Sequence, residues 1–133
     1  RSLLEAVLWH GGEAQKKHAA AAAIFAYQVR RRCFQVEVMP EVDGPAEPDV
    51  AVSQHGKWVY VEVETGHDRK EKWRHQVELQ GFVAVCSATE KQQERIVAEI
   101  RELGLPGRAT YLEALMQDKE GKNKDLWTEE WSA

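Results

Sequence analysis

Branched or aromatic apolar residues recur at every second position over two stretches. Phe34, Val36 and Val38 mark one across 33–39, and Val59, Val61 and Val63 mark the other across 57–64, so a period of two predicts a strand in each. Between them lies a proline- and acid-bearing loop over 40–48. A short strand over 49–53 follows, turned through Gln54, His55 and Gly56 into the 57–64 strand. A period near 3.6 governs other stretches. Residues 13–32 predict a long alanine-rich helix anchored by Ile24, Phe25 and Val29, with Arg30, Arg31 and Arg32 in its last turn, where cations suit the helix dipole. A shorter helix is expected over 2–9, ended by Gly11 and Gly12.

Downstream, Asp68 and Glu71 make a capping pattern for a helix running to about Gln80, and 82–86 is apolar enough for a buried strand. Thr89 and Gln92 repeat the capping pattern before a helix whose Ile96, Val97, Ile100 and Leu103 share a face; Gly104 and Pro106 stop it. A last strand is expected over 108–112. The order predicts one α/β domain over 1–133, a mixed central sheet flanked by helices. Its core spans 10–112, and 117–133 forms a polar tail whose Trp127 and Trp131 give it the means to dock.

Composition narrows the class. The chain has 133 residues, 43% hydrophobic and 30% charged, which suits one compact domain rather than a disordered segment. No apolar run approaches the roughly 18–20 residues of a membrane span, so no membrane partner is expected. Cys33 and Cys86 fit neither a disulfide framework nor a zinc spacing. They read as reduced, small buried hydrophobes in a cytoplasmic protein. His10, His18, His55, His67 and His75 likewise show no zinc spacing. The chain begins at Arg1 rather than Met, which leads us to expect a piece of a larger polypeptide, and a homodimer stays open.

Charge changes the picture further. The net charge of −4 conceals a local +4 over 1–32 and −6 over 33–66. An acidic chain is a poor sequence-blind DNA-coating protein, but a basic flank beside an acidic centre is what a metal-using nucleic-acid enzyme needs. The acids fall in a pattern. Trp58, Tyr60, Glu62 and Glu64 share one face of the 57–64 strand, so the two carboxylates project together about 6.5–7 Å apart. Asp49 opens the preceding strand and comes near them across a hairpin. Clustered carboxylates repel unless a cation intervenes, and hard oxygen ligands at a partly open site suit Mg²⁺ or Mn²⁺. Taken singly, an ExE on a strand is often a solvated face and an Asp after Pro often a turn residue.

Pro48-Asp49, twelve intervening residues and Glu62-x-Glu64 on a valine-rich strand resemble the PD-(D/E)xK nuclease superfamily. The resemblance covers most of the chain, because the αβββαβ restriction-endonuclease-like core of that superfamily matches the predicted element order from Glu13 to Cys86. It implies divalent-metal-dependent hydrolysis of DNA phosphodiester bonds, with RNA an open alternative. Asp49 and Glu62 would be the metal-binding acids, with Glu64 as a third. Glu64 stands where the family has a lysine, and Lys72 on the following helix is the migrated candidate. Gln76, one turn further on, matches the glutamine many members carry there. Glu13 is the best offer for the first-helix acid, while His18 lies nearer the usual place. Lys16, Lys17, Arg30, the neighbouring Arg31 and Arg32, and Arg69 are the candidates for phosphate contacts. The rival expectations are a catalytically degenerate domain of the same fold, serving nucleic-acid binding or assembly within a plasmid or mobile-element protein, a hydrolase acting on RNA or a nucleotide, and an interaction module built on the tail tryptophans.

Overall fold

The computed structural model describes residues 13–65, 70–118 and 120–133, with the side chains of Glu13 and Ala14 outside the described set. The expected 2–9 helix lies outside it too. Helix α1 (Glu13–Arg31) leads into strands β1 (Val36–Val38), β2 (Val50–Gln54) and β3 (Lys57–Glu64). Helix α2 (Lys70–Gln80), strand β4 (Val83–Ser87), helix α3 (Glu90–Glu102) and strand β5 (Gly107–Tyr111) follow. The chain closes with a short helix α4 (Leu112–Gln117) and strand β6 (Glu129–Trp131). The six strands form one mixed sheet in the order β1-β2-β3-β4-β5-β6. β1, β2 and β3 pair antiparallel, β3, β4 and β5 pair parallel, and β6 returns antiparallel to β5.

Two apolar layers hold the sheet. On one face, Ala22, Phe25 and Val29 of α1 pack with Leu112, Leu115, Leu126 and Trp127 against Val50, Val52, Val59, Val61 and Val63. On the other, Trp73 of α2 and Ile96, Val97 and Ile100 of α3 cover Val83, Val85 and Ala109. The period-two reading of β3 therefore holds residue by residue. Its valines enter the α1 layer, which turns Glu62 and Glu64 to the opposite face, where both are buried. Thr89 caps α3 as its sequence predicts, accepting the Gln92 N–H at 3.2 Å.

Two expectations change, and a third is met. Cys33 is exposed rather than buried: the chain leaves α1 through a left-handed residue there (φ 66°), with its N–H on Arg30 O, and β1 starts only at Val36. Arg32 is not a phosphate contact. It is 2% exposed, and its guanidinium donates to the carbonyls of Gln28, Leu115 and Asn123 and pairs with Asp118, tying α1 to the tail. The tail does dock. Trp127 Nε1 donates to Gln54 Oε1, and Trp131 Nε1 donates to Leu105 O. The Trp131 ring lies so close over Gly107 that a Cβ there would come within 2.6 Å of it. A side chain there would have to displace the indole or the Val83 carbonyl, 2.8 Å away. The indole N–H groups of both tail tryptophans are thus engaged within the chain. Among the described residues no helix is long and apolar enough to cross a membrane.

Candidate functional site

The acids converge at the carboxyl end of β3. Asp49 immediately precedes β2, and its backbone N–H donates to Val61 O, so it lies one step beyond the Val50–Val61 pair and level with Glu62. The Asp49 side chain then continues the ladder: Oδ2 accepts the Val63 N–H at 2.7 Å. The same oxygen meets His18 Nε2 at 3.2 Å. That hydrogen bond holds the His18 imidazole above its ordinary pKa, against the opposing effect of burial. His18 stands on α1 at the head of the stripe that continues through Ala22, Phe25 and Val29, which is how a helix packed on the sheet brings a polar ring to the strand end.

Glu62 is 7% exposed, and no hydrogen bond from a described residue reaches its carboxylate. Burial, then the Asp49 charge and the Glu64 charge, push it up to about 8, against the pull of Lys72 and His18. Glu64, 3% exposed, is ion-paired with Lys72, whose ammonium also lies 4.7 Å from the centre of the Trp73 ring. Trp73 is itself fixed, buried and donating from Nε1 to Glu99 Oε2 at 2.8 Å. The lysine is thus held from two sides, and α2 does bring it to the strand acids.

Gln76 has different work. It is fully buried, its amide nitrogen donates to Tyr60 O at 2.9 Å and its oxygen accepts the Ala84 N–H at 2.8 Å. Those groups belong to β3 and β4 just before the paired registers begin at Glu62–Val85, so the side chain bridges the two strands where their own ladder has not yet formed. Gln80 adds a second clasp on the Tyr60 peptide. Lys17 and Arg30 are exposed and Lys16 is half-buried on α1, whereas Arg69 and the Glu13 side chain lie outside the described residues.

Among the described residues no three His, Cys, Asp or Glu side chains are arranged to hold a metal ion, so the three-carboxylate set is not assembled: Glu64 is engaged by Lys72. The donor chemistry of the remaining pair still fits a hard cation. Mg²⁺ is commonly held by one or two carboxylates, with water and substrate phosphate completing its shell. Asp49 offers an oxygen beyond the doubly engaged Oδ2, and Glu62 is a buried acid awaiting a counter-charge. His18, which by the resemblance lies nearer the usual first-helix place than Glu13, is the α1 residue that meets Asp49. Comparison with protein-family models, curated proteins and solved structures finds no match for this chain.

Proposed function

We propose that this chain is a divalent-metal-dependent nuclease that hydrolyses DNA phosphodiester bonds on a restriction-endonuclease-like PD-(D/E)xK core. The observation that carries the reading is Glu62, a buried carboxylate with no donor from a described residue, beside Asp49 at the mouth of β3. A carboxylate in that setting is held at a cost that a cation would remove. Asp49 and Glu62 are the residues that would hold Mg²⁺ or Mn²⁺. When bound, such an ion supplies an activated water and a counter-charge for the phosphate.

The chain's own groups do the rest. His18 and the Val63 N–H fix one Asp49 oxygen and so orient the other. Glu64 and the Trp73 ring hold the Lys72 ammonium at the same strand end, where it offsets charge on the phosphate and its leaving group. Glu64 on this reading positions the lysine instead of replacing it. Gln76 keeps β3 and β4 in register beneath the site.

Metal-supplemented and metal-free cleavage of labelled DNA, with RNA of the same sequence in parallel, tests the proposal. Cleavage should require Mg²⁺ or Mn²⁺ and vanish in Glu62→Gln, while DNA binding persists. Cleavage that survives chelation, or is unchanged in Glu62→Gln, overturns it. One observation favours a second reading, a degenerate nuclease fold kept for binding. Glu64 occupies the place of the family lysine and already neutralises Lys72. DNA binding with neither metal affinity nor cleavage would select that reading.

A further inference from the structure

Two buried side-chain hydroxyls, those of Ser87 and Thr110, find no hydrogen-bond partner among the described residues. Thr110 has a packing reason for its place. It is the register partner of Cys86, which belongs to the α1 layer, and a β-branched side chain suits a strand and brings a methyl to that layer. Ser87 has no such reason. It ends β4 at 0% exposed, where an unpaired hydroxyl costs free energy that an alanine of nearly the same size would not.

Register ties Ser87 to the acidic site. β3 and β4 run parallel with Glu64 opposite Ser87, so both side chains leave the same face of the sheet on strands about 4.8 Å apart. That face also carries Val83 and Val85 and is covered by α2 and α3. On the other side of Ser87 stands Tyr111, its partner in β5, whose hydroxyl engages Glu90. Glu64 is thus the acid beside the serine in this row. Its ion pair with Lys72 is unequal at the two ends: the lysine side chain is 25% exposed and that of Glu64 only 4%. The lysine can turn out to a phosphate, whereas the acid, fixed in the sheet, cannot follow it. A buried carboxylate that loses its ion pair is strongly destabilised unless another donor reaches it. The Ser87 O–H is a donor one strand away with its proton uncommitted.

We infer that Ser87 is a positioning residue of the site: its hydroxyl donates to the Glu64 carboxylate when Lys72 turns to the substrate phosphate. Glu64 exchanges one partner for another, and the lysine leaves without stranding a buried charge. The role in cleavage rests on the nuclease reading, but the exchange itself is a property of the chain and is measurable without substrate or metal.

The test is a double-mutant cycle on thermal melts of the whole chain in chelator, with wild type, Ser87→Ala, Lys72→Met and the double variant. Methionine keeps an apolar stem beside Trp73 and removes the ammonium. In wild type, Ser87→Ala should leave the melting temperature unchanged or raise it, because the hydroxyl is unpaired there. In Lys72→Met the serine already holds Glu64, and Ser87→Ala should lower the melting temperature by roughly 3–8 °C. An equal loss in both backgrounds, a loss in wild type alone, or no loss in either overturns the exchange. A second measurement keeps Lys72 in place and so does not depend on the folding of Lys72→Met. Mg²⁺-supported cleavage of labelled DNA by Ser87→Ala should be about tenfold slower at unchanged half-saturation. An unchanged rate overturns the positioning role even where the melts show the exchange. A wild-type chain that cleaves nothing removes the nuclease reading and leaves the exchange to be judged by the melts alone.

Discussion

The Asp49 carboxylate accepts the Val63 backbone N–H at 2.7 Å, so a side chain takes over the β2–β3 ladder where the β2 backbone leaves it. The same oxygen binds His18, which gives this acid a structural duty alongside any chemical one. Asp49→Ala should destabilise the protein by about 1–3 kcal/mol, the scale of an unsatisfied buried donor, whereas Asp49→Asn keeps an acceptor for Val63 and should cost less. Both should lose divalent-metal affinity. In Asp49→Asn the His18 pKa, followed by NMR, should fall back towards its ordinary value. Because that pKa is raised in the folded protein, the His18 contribution to stability is full below the ordinary histidine value and is lost as pH rises through the folded one. An unmoved His18 titration in Asp49→Asn would assign the shift to another group.

Glu62 has the same sign of shift from a different cause. Its carboxyl is raised to about 8 chiefly by burial, so in metal-free protein the protonated form is favoured by folding. That stabilisation is complete below the ordinary carboxylate pKa and drains away as pH climbs through about 8. Glu62→Gln, neutral at every pH, should therefore match wild type near pH 4 and melt higher than wild type near pH 9. Mg²⁺ should raise the melting temperature of wild type at neutral pH and leave Glu62→Gln unmoved. Parallel melting curves across the pH range would contradict the assignment.

Lys72 and Lys70 are two residues apart on α2, and only Lys72 is held against Glu64 and Trp73. Lys72→Ala should lower turnover about 10²-fold, the scale for losing one transition-state donor, while Lys70→Ala has little effect. The assays belong at one fixed, low ionic strength, so that a lost non-specific phosphate contact is not mistaken for chemistry. Small, equal effects would point to the binding-only alternative.

Gln76→Ala should behave as a fold variant. It strips the Ala84 N–H of its partner inside the sheet, and Tyr60 O keeps only Gln80. A loss of roughly 1–3 kcal/mol in denaturant unfolding is expected. Cleavage per folded molecule should be largely retained. A large drop in turnover at unchanged stability would return this glutamine to the catalytic set.

The sequence by itself determined the elements whose signal is local. The valine alternation of 57–64 placed β3 and turned Glu62 and Glu64 to one face, because successive side chains on a strand point to opposite sides. Thr89 and Gln92 set the start of α3 because a helix must satisfy its first N–H groups within a few residues. Spacing across the β2–β3 hairpin was enough to bring Asp49 near the two strand acids, while Lys72 was singled out only by the resemblance.

What tertiary structure decided are the partnerships between residues far apart in the chain. Whether a buried polar side chain serves chemistry or backbone depends on which groups are left unpaired around it. Gln76 was drawn into the gap between β3 and β4, and Arg32 into the carbonyls of α4 and the tail, for that reason. No local pattern revealed that β6 pairs with β5 and sets Trp131 over Gly107, or that the chain takes a positive φ at Cys33 and leaves the thiol exposed. His18 reached Asp49 because helix packing sets the height of α1 over the sheet, and that height is fixed by the whole apolar layer beneath it.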